Sequence, residues 1–191
     1  MVSILKWAAI ATALFVVAAT VYEYIYEGGS DAELKYRLGN LRLEDQLYDE
    51  ALAEFDALLR IDPNHAEGHL GRALALMDLG DAEGALQAFA AALQIRPAFG
   101  AAFANRGILM DRLGRHENAL QNYHRALTLD SELGEGPDWL TRFFRNQYDR
   151  PPTIADRARY LERELKKPLL ERVLKVPEAD ASQRAYKYEG L

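Results

Sequence analysis

The chain has 191 residues, about half of them hydrophobic, no cysteine, and a formal charge of −6. That length holds one domain of ordinary size plus an additional segment, and the missing cysteine excludes disulfides, thiolate metal ligands and cysteine nucleophiles. Residues 1–135 carry 11 Lys/Arg against 20 Asp/Glu and residues 136–175 carry 10 against 6, which argues against the continuous basic face of a nucleic-acid binder.

Residues 1–27 predict a membrane anchor. As a helix, residues 4–26 reach about 35 Å, enough for a hydrocarbon core of ~30 Å if Lys6 and Glu23 lie near the interfaces, where a lysine stem snorkels. Trp7 at one end, with Tyr22, Tyr24 and Tyr26 at the other, forms an aromatic belt on both sides. The expected membrane-interface residues are therefore Lys6, Trp7, Tyr22, Tyr24 and Tyr26. A cleaved signal peptide with small residues around Val17 and Ala19 is the competing reading; the aromatics beyond Ala19 continue the span and favour the anchor. Lys6 precedes the span while Glu23, Glu27 and Asp31 follow it. This orients the N-terminus to the cytoplasm and the rest outside it, in the periplasm of a bacterial source. Residues 28–31, with Gly28-Gly29-Ser30, read as a hinge.

From residue 32 a pattern repeats every 34 residues. Residues 66–99 form two amphipathic helices joined at Leu79-Gly80-Asp81, with Ala85, Phe89 and Ala92 on the second helix and Pro97 at its end. One period earlier stand Gly39, Ala51, Phe55, Leu58 and Pro63; one period later stand Gly107, Gly114, Ala119, Tyr123 and Ala126, with Ser131 in place of the proline. The units are 32–65, 66–99 and 100–133. Small residues (Gly39, Ala73, Gly107; Ala51, Ala85, Ala119) fall where helices approach, and Phe55, Phe89 and Tyr123 fill the space between neighbours.

A 34-residue helix–turn–helix unit of this pattern resembles the tetratricopeptide repeat (TPR). The fold class expected is all-α: a single N-terminal transmembrane helix, then a three-repeat TPR solenoid with C-terminal capping helices. The resemblance implies a concave groove lined by the first helix of each pair. Its positions here are Glu33, Tyr36, Asn40, Leu43 and Glu44; Glu67, Leu70, Leu74, Met77 and Asp78; and Ala101, Ala104, Ile108, Asp111 and Arg112. Partner binding is assigned to Tyr36, Asn40, Leu43, Leu70, Leu74, Met77, Ala104, Ile108 and Asp111. The family's carboxylate-clamp subset, which holds chaperone C-termini, needs Lys, Arg and Asn in the groove. Asn40 matches, but Tyr36, Ala101 and Asn105 stand where basic residues belong, so that function is not carried over. An apolar floor with carboxylate rims suits an amphipathic or extended segment with basic flanks.

Residues 134–175 are expected to cap the solenoid. Residues 134–148 begin like a fourth first helix, with Trp139, Leu140, Phe143 and Phe144 as the apolar side. Thr153 reads as an N-cap with Asp156 three residues on, and Ile154, Ala158, Leu161 and Leu165 follow at helical spacing. Arg142, Arg145, Arg150, Arg157, Arg159 and Arg163 form a basic outer face able to meet acidic lipid or protein. Residues 176–191 have no helical period and read as an extended or disordered tail.

No enzyme is expected, and no catalytic, cofactor-binding or metal residue. His65 and His69 are four apart but straddle a turn and lack a third ligand. Phosphate-binding glycine loops, nucleophile elbows and zinc motifs are missing. The layout is similar to membrane-anchored TPR assembly factors, including those serving cytochrome maturation. The function expected is a non-enzymatic protein–protein interaction scaffold, an accessory or structural subunit of a membrane complex. The alternative is a transient assembly chaperone holding a client segment in the groove. Partners would be other protein chains and, through residues 4–26, membrane lipid, with no nucleic acid and no small-molecule substrate.

Overall fold

The computed structural model describes Thr12, residues 15–17, residues 31–136 and residues 152–175. These residues form three antiparallel helix pairs followed by one further helix. The pairs are α1 (Asp31–Glu44) with α2 (Tyr48–Ile61), α3 (Ala66–Asp78) with α4 (Ala82–Ile95), and α5 (Gly100–Arg112) with α6 (His116–Leu129). A 3-10 turn (Ser131–Gly134), α7 (Ile154–Leu165) and a second 3-10 turn (Leu169–Glu171) complete the described chain.

Each pair closes through the same turn chemistry. Helices commonly end on a residue in the left-handed region, whose follower donates back across the last turn. Leu47 N–H donates to Arg42 O at 2.8 Å, Asp81 to Leu76 O at 2.9 Å and Arg115 to Met110 O at 2.8 Å. The left-handed residue is Gly80 (φ +86°) in the second pair and Gly114 (φ +74°) in the third, but Gln46 (φ +60°) in the first. Only the first turn therefore carries a side chain where glycine is free of Cβ strain.

Successive pairs stack because their facing surfaces were made small. A Cβ added at Gly71 would lie 2.2 Å from the Phe55 ring, and one at Gly39 would lie 2.7 Å from it. Phe55 thus fills the seam between the first and second pairs. Tyr123 sits the same way against Gly107, 2.7 Å from a Cβ there. The other packing positions read from the period, Ala51, Ala73, Ala85, Phe89, Ala92, Ala119 and Ala126, are all buried. Lys35 and His69, each at the fourth position of its unit, are held by polar contacts. Lys35 Nζ lies 2.7 Å from Glu54 on α2, and His69 Nε2 lies 3.0 Å from the Pro63 carbonyl.

Contacts run from each pair to the next: α3 packs on α2 and α1, α5 on α4 and α3, and α7 on α6. Where Pro63 and Pro97 turn the chain into the next unit, Asp130 instead caps the 3-10 turn, its Oδ1 accepting from Glu132 N–H at 3.1 Å. Gly134 then passes so close to α7 that a Cβ would lie 3.0 Å from Ala155. Helix α7 begins at a complete capping box, Thr153 and Asp156 each bonding the other's backbone N–H.

The expected anchor at 1–27 lies outside the described residues except for Thr12 and residues 15–17, which are helical; Lys6, Trp7, Tyr22, Tyr24 and Tyr26 are all outside them. Among the described residues no helix is long and apolar enough to cross a membrane. The expected fourth first helix at 134–148, beyond residue 136, and the tail at 176–191 also lie outside the described residues.

Candidate functional site

Because first helices lie side by side along one face of the stack, their inward residues converge on a shared groove. A depression of about 340 Å³ is lined by Asn40, Leu43 and Glu44 of α1, Leu74, Met77 and Asp78 of α3, and Asn105 and Arg112 of α5. Gln46 and Tyr48, at the first turn, close one side. The floor is apolar through Leu43, Leu74 and Met77. Its rim carries two carboxylates, Glu44 and Asp78, and one guanidinium, Arg112, whose Nη1 lies 3.8 Å from Asp78.

Asn40 is the most informative member. It is 8% exposed, and its Nδ2 is buried without a hydrogen-bond partner. The amide lies beside the Tyr36 phenol, whose proton it makes easier to lose, so it belongs to the wall of the groove. Asn105, two pairs on in α5, has its Nδ2 committed to the Ala101 carbonyl at 2.9 Å.

The expected partner-binding residues separate into two sets. Asn40, Leu43, Leu74 and Met77 line the depression. Tyr36 is half-buried beside His65, ring centroids 5.1 Å apart, and Phe55, 6.5 Å away. Burial raises its phenol above the ordinary value, with the Asn40 amide and Arg96 opposing and the carboxylates of Glu67 and Glu33 reinforcing. Leu70, Ala104, Ile108 and Asp111 are different: all four are buried, at 0, 0, 2 and 5% exposure. Their accessibility to a partner is corrected by what covers them. Leu70 packs with Ala102 and Leu109 of the next pair, and Ala104 and Ile108 pack with Ile154, Ala158 and Leu161 of α7.

Asp111 anchors this second arrangement. Its carboxylate accepts from Arg157 Nε at 2.6 Å and Nη2 at 3.0 Å, from Tyr123 Oη at 3.3 Å, and lies 2.8 Å from His116 Nδ1. Arg157 Nη2 also donates to the Leu174 carbonyl at 2.7 Å. A bidentate, fully bonded pair is the arrangement in which a buried charge is tolerated. Arg157 is therefore an interior residue, 6% exposed, whereas Arg159 and Arg163 are exposed; Arg142, Arg145 and Arg150 are outside the described residues. The signal that could have exposed this pairing is Asp111 itself, an acid at the repeat position where the earlier units have Leu43 and Met77.

The histidines serve local structure. His65 Nδ1 accepts from Gly68 N–H at 3.0 Å and caps α3, and His124 meets Glu162 of α7 at 2.9 Å. Among the described residues no cluster of three His, Asp or Glu side chains is placed to hold a metal ion.

The sequence profile of the tetratricopeptide repeat matches residues 9–66, 36–98 and 70–134. No curated protein matches the chain in sequence. Among solved structures, the chain is similar to the first TPR of Spaghetti (RPAP3) bound to the HSP90 peptide SRMEEVD, at 20% identity over 72% of this chain and 94% of that one, with a TM-score of 0.57. It is similar also to the TPR2B domain of yeast Sti1 in its pHsp70 complex, at 22% identity over 63% of this chain and 94% of that one, TM-score 0.53. The Arabidopsis OM64 TPR domain matches at 22% identity, over 52% of this chain and 83% of that one, with a TM-score of 0.51. At these identities the likeness is one of fold.

Proposed function

The chain belongs to the tetratricopeptide repeat family, and from that premise we propose that it is a non-enzymatic interaction scaffold whose groove takes an extended or helical segment of another protein. The observation that carries this reading is the depression across the three first helices, with Leu43, Leu74 and Met77 as its apolar lining and Glu44 and Asp78 beside them. Support comes from the similar structures, one of which is bound to an HSP90 peptide and another of which is in a pHsp70 complex. The ligand here would differ in charge. Tyr36, Ala101 and Asn105 replace the cations that an acidic C-terminus needs, and Glu44 and Asp78 at the rim favour basic flanks. A segment laid on Leu43, Leu74 and Met77 would cover them with apolar side chains of its own.

The finer reading is an accessory or structural subunit of a membrane complex. Residues 1–27 anchor it, and the repeats lie on the extracytoplasmic side. Its support is the aromatic-bounded apolar stretch in the sequence. Extraction from the native membrane in mild detergent, followed by identification of co-purifying chains, tests it. Stoichiometric partners that survive salt washing are expected, and Leu74→Glu with Met77→Glu should release them while leaving the helical fold intact. Recovery as a monomer, with a client lost from the double variant only under cross-linking, would replace the subunit with a transient assembly chaperone. Partners retained by the double variant would remove the groove from either role.

A further inference from the structure

The turn after α7 does something no core position requires. Leu169, Leu170 and Val173 stand 75, 99 and 56% exposed. Yet the segment that displays them is held firmly. Tyr160 Oη donates to the Val173 carbonyl at 2.7 Å, Val173 N–H donates to Glu164 Oε2 at 2.8 Å, and Arg172 Nε donates to the Lys167 carbonyl at 2.9 Å. The backbone is thus fixed so that two leucines project from it. Residues 163–175, which include the tip, carry Arg163, Lys166, Lys167, Arg172 and Lys175 against Glu164 and Glu171, and Glu162 just before them faces His124 of α6. Glu164 is buried and bonded to Lys167 Nζ at 2.6 Å, which leaves Glu171 as the exposed carboxylate of the set. The solenoid beside it is acidic, so among the described residues this end is the cationic one.

We propose that the Leu169–Leu170 tip and its surrounding cations dock on the surface of an anionic lipid bilayer. The chemistry fits both components of such a surface: apolar side chains enter the boundary between headgroups and acyl chains while Lys and Arg stay with the phosphates. A protein partner fits less well, because a stable interface takes about 20–30 residues a side and this tip offers three apolar ones. The proposal is independent of the groove. It places the C-terminal end of the solenoid on the membrane that the N-terminal anchor reading also invokes, but does not require that anchor.

With no cysteine in the chain, Leu170→Cys in the full-length protein carries a single environment-sensitive dye at the tip. The labelled protein is mixed with vesicles of phosphatidylcholine alone or of phosphatidylcholine with phosphatidylglycerol, and flotation is run in parallel. A blue shift on the anionic vesicles only is expected. Lys166→Gln with Lys175→Gln should weaken docking about 25-fold, roughly fivefold per cation. No shift on anionic vesicles overturns the proposal, whether or not the protein floats with them. An equal shift on neutral vesicles overturns the charge requirement and with it the proposal, and a shift without vesicles assigns the tip to a second copy of the chain. Failure to float with neutral vesicles counts against the anchor alone.

Discussion

Leu34 and Leu41 on α1 stand 53 and 47% exposed, whereas the residues one and two periods on, Gly68 with Ala75 and Ala102 with Leu109, are buried. The later pairs are covered by the second helix of the pair before them; among the described residues nothing stands in that place for α1. The opposite end is closed. Ala104 and Ile108 are covered by α7, which is tied down by Asp111 and Arg157. A repeat position therefore has no burial of its own. The neighbouring element decides it, and two ends of one array built from the same unit acquire different surfaces.

The largest effect should come from breaking the closed end. Asp111→Ala leaves the Arg157 guanidinium buried without its carboxylate and should destabilise the domain by about 3–5 kcal/mol, seen as a lower urea midpoint. Replacing Asp111 and Arg157 together by apolar residues should restore much of that loss, since the unpaired charge is then gone. Next comes a matched pair. Leu109→Ala, at a covered position, should cost about 2–5 kcal/mol, and Leu41→Ala, two periods earlier on the open edge, less than about 0.5 kcal/mol. Equal losses would mean that the open edge is covered after all. A smaller gain is expected from Gln46→Gly, which relieves the left-handed turn of the first pair. The side-chain strain of about 1–2 kcal/mol is partly offset by the added freedom of glycine in the unfolded chain, leaving roughly 0.5–1 kcal/mol of stabilisation in thermal melts. The same change at Gly80 or Gly114 has no counterpart.

The smallest effect is pH-dependent and confined to the closed end. The Lys167 ammonium, bonded to Glu164, and then the Val173 N–H hold that carboxyl below its ordinary value of 4.5. A lowered folded pKa stabilises the fold above the ordinary value, and that contribution disappears as pH falls through the lowered one. Faster amide exchange at Val173 should therefore appear only below about pH 4.5, with the open edge unchanged.

The repeat region was legible because its signal is redundant. Each pair's small residues, aromatic plug and turn recur at one spacing, and the three helix pairs of the structure recur with it. The groove was legible in part. Asn40, Leu43, Leu74 and Met77 follow from repeat position alone. Leu70, Ala104 and Ile108 occupy equivalent positions but lie under the next helix, and no period within a unit reveals what is laid over it. Asp111, expected to meet a partner, and Arg157, expected on a basic outer face, escape the sequence for a related reason: 46 residues separate them, and no local spacing pairs them. Thr153 and Asp156 were readable because a cap is local.

The Asp111 carboxylate also gives the array a direction of growth. An extra hairpin copied in after residue 133 would lay an apolar first helix over that charge and bury it without Arg157. A hairpin added ahead of residue 32 would meet Leu34 and Leu41, a surface already suited to receive one. Lengthening by duplication is thus open at one end and chemically barred at the other, and one acidic residue at a repeated position sets that polarity.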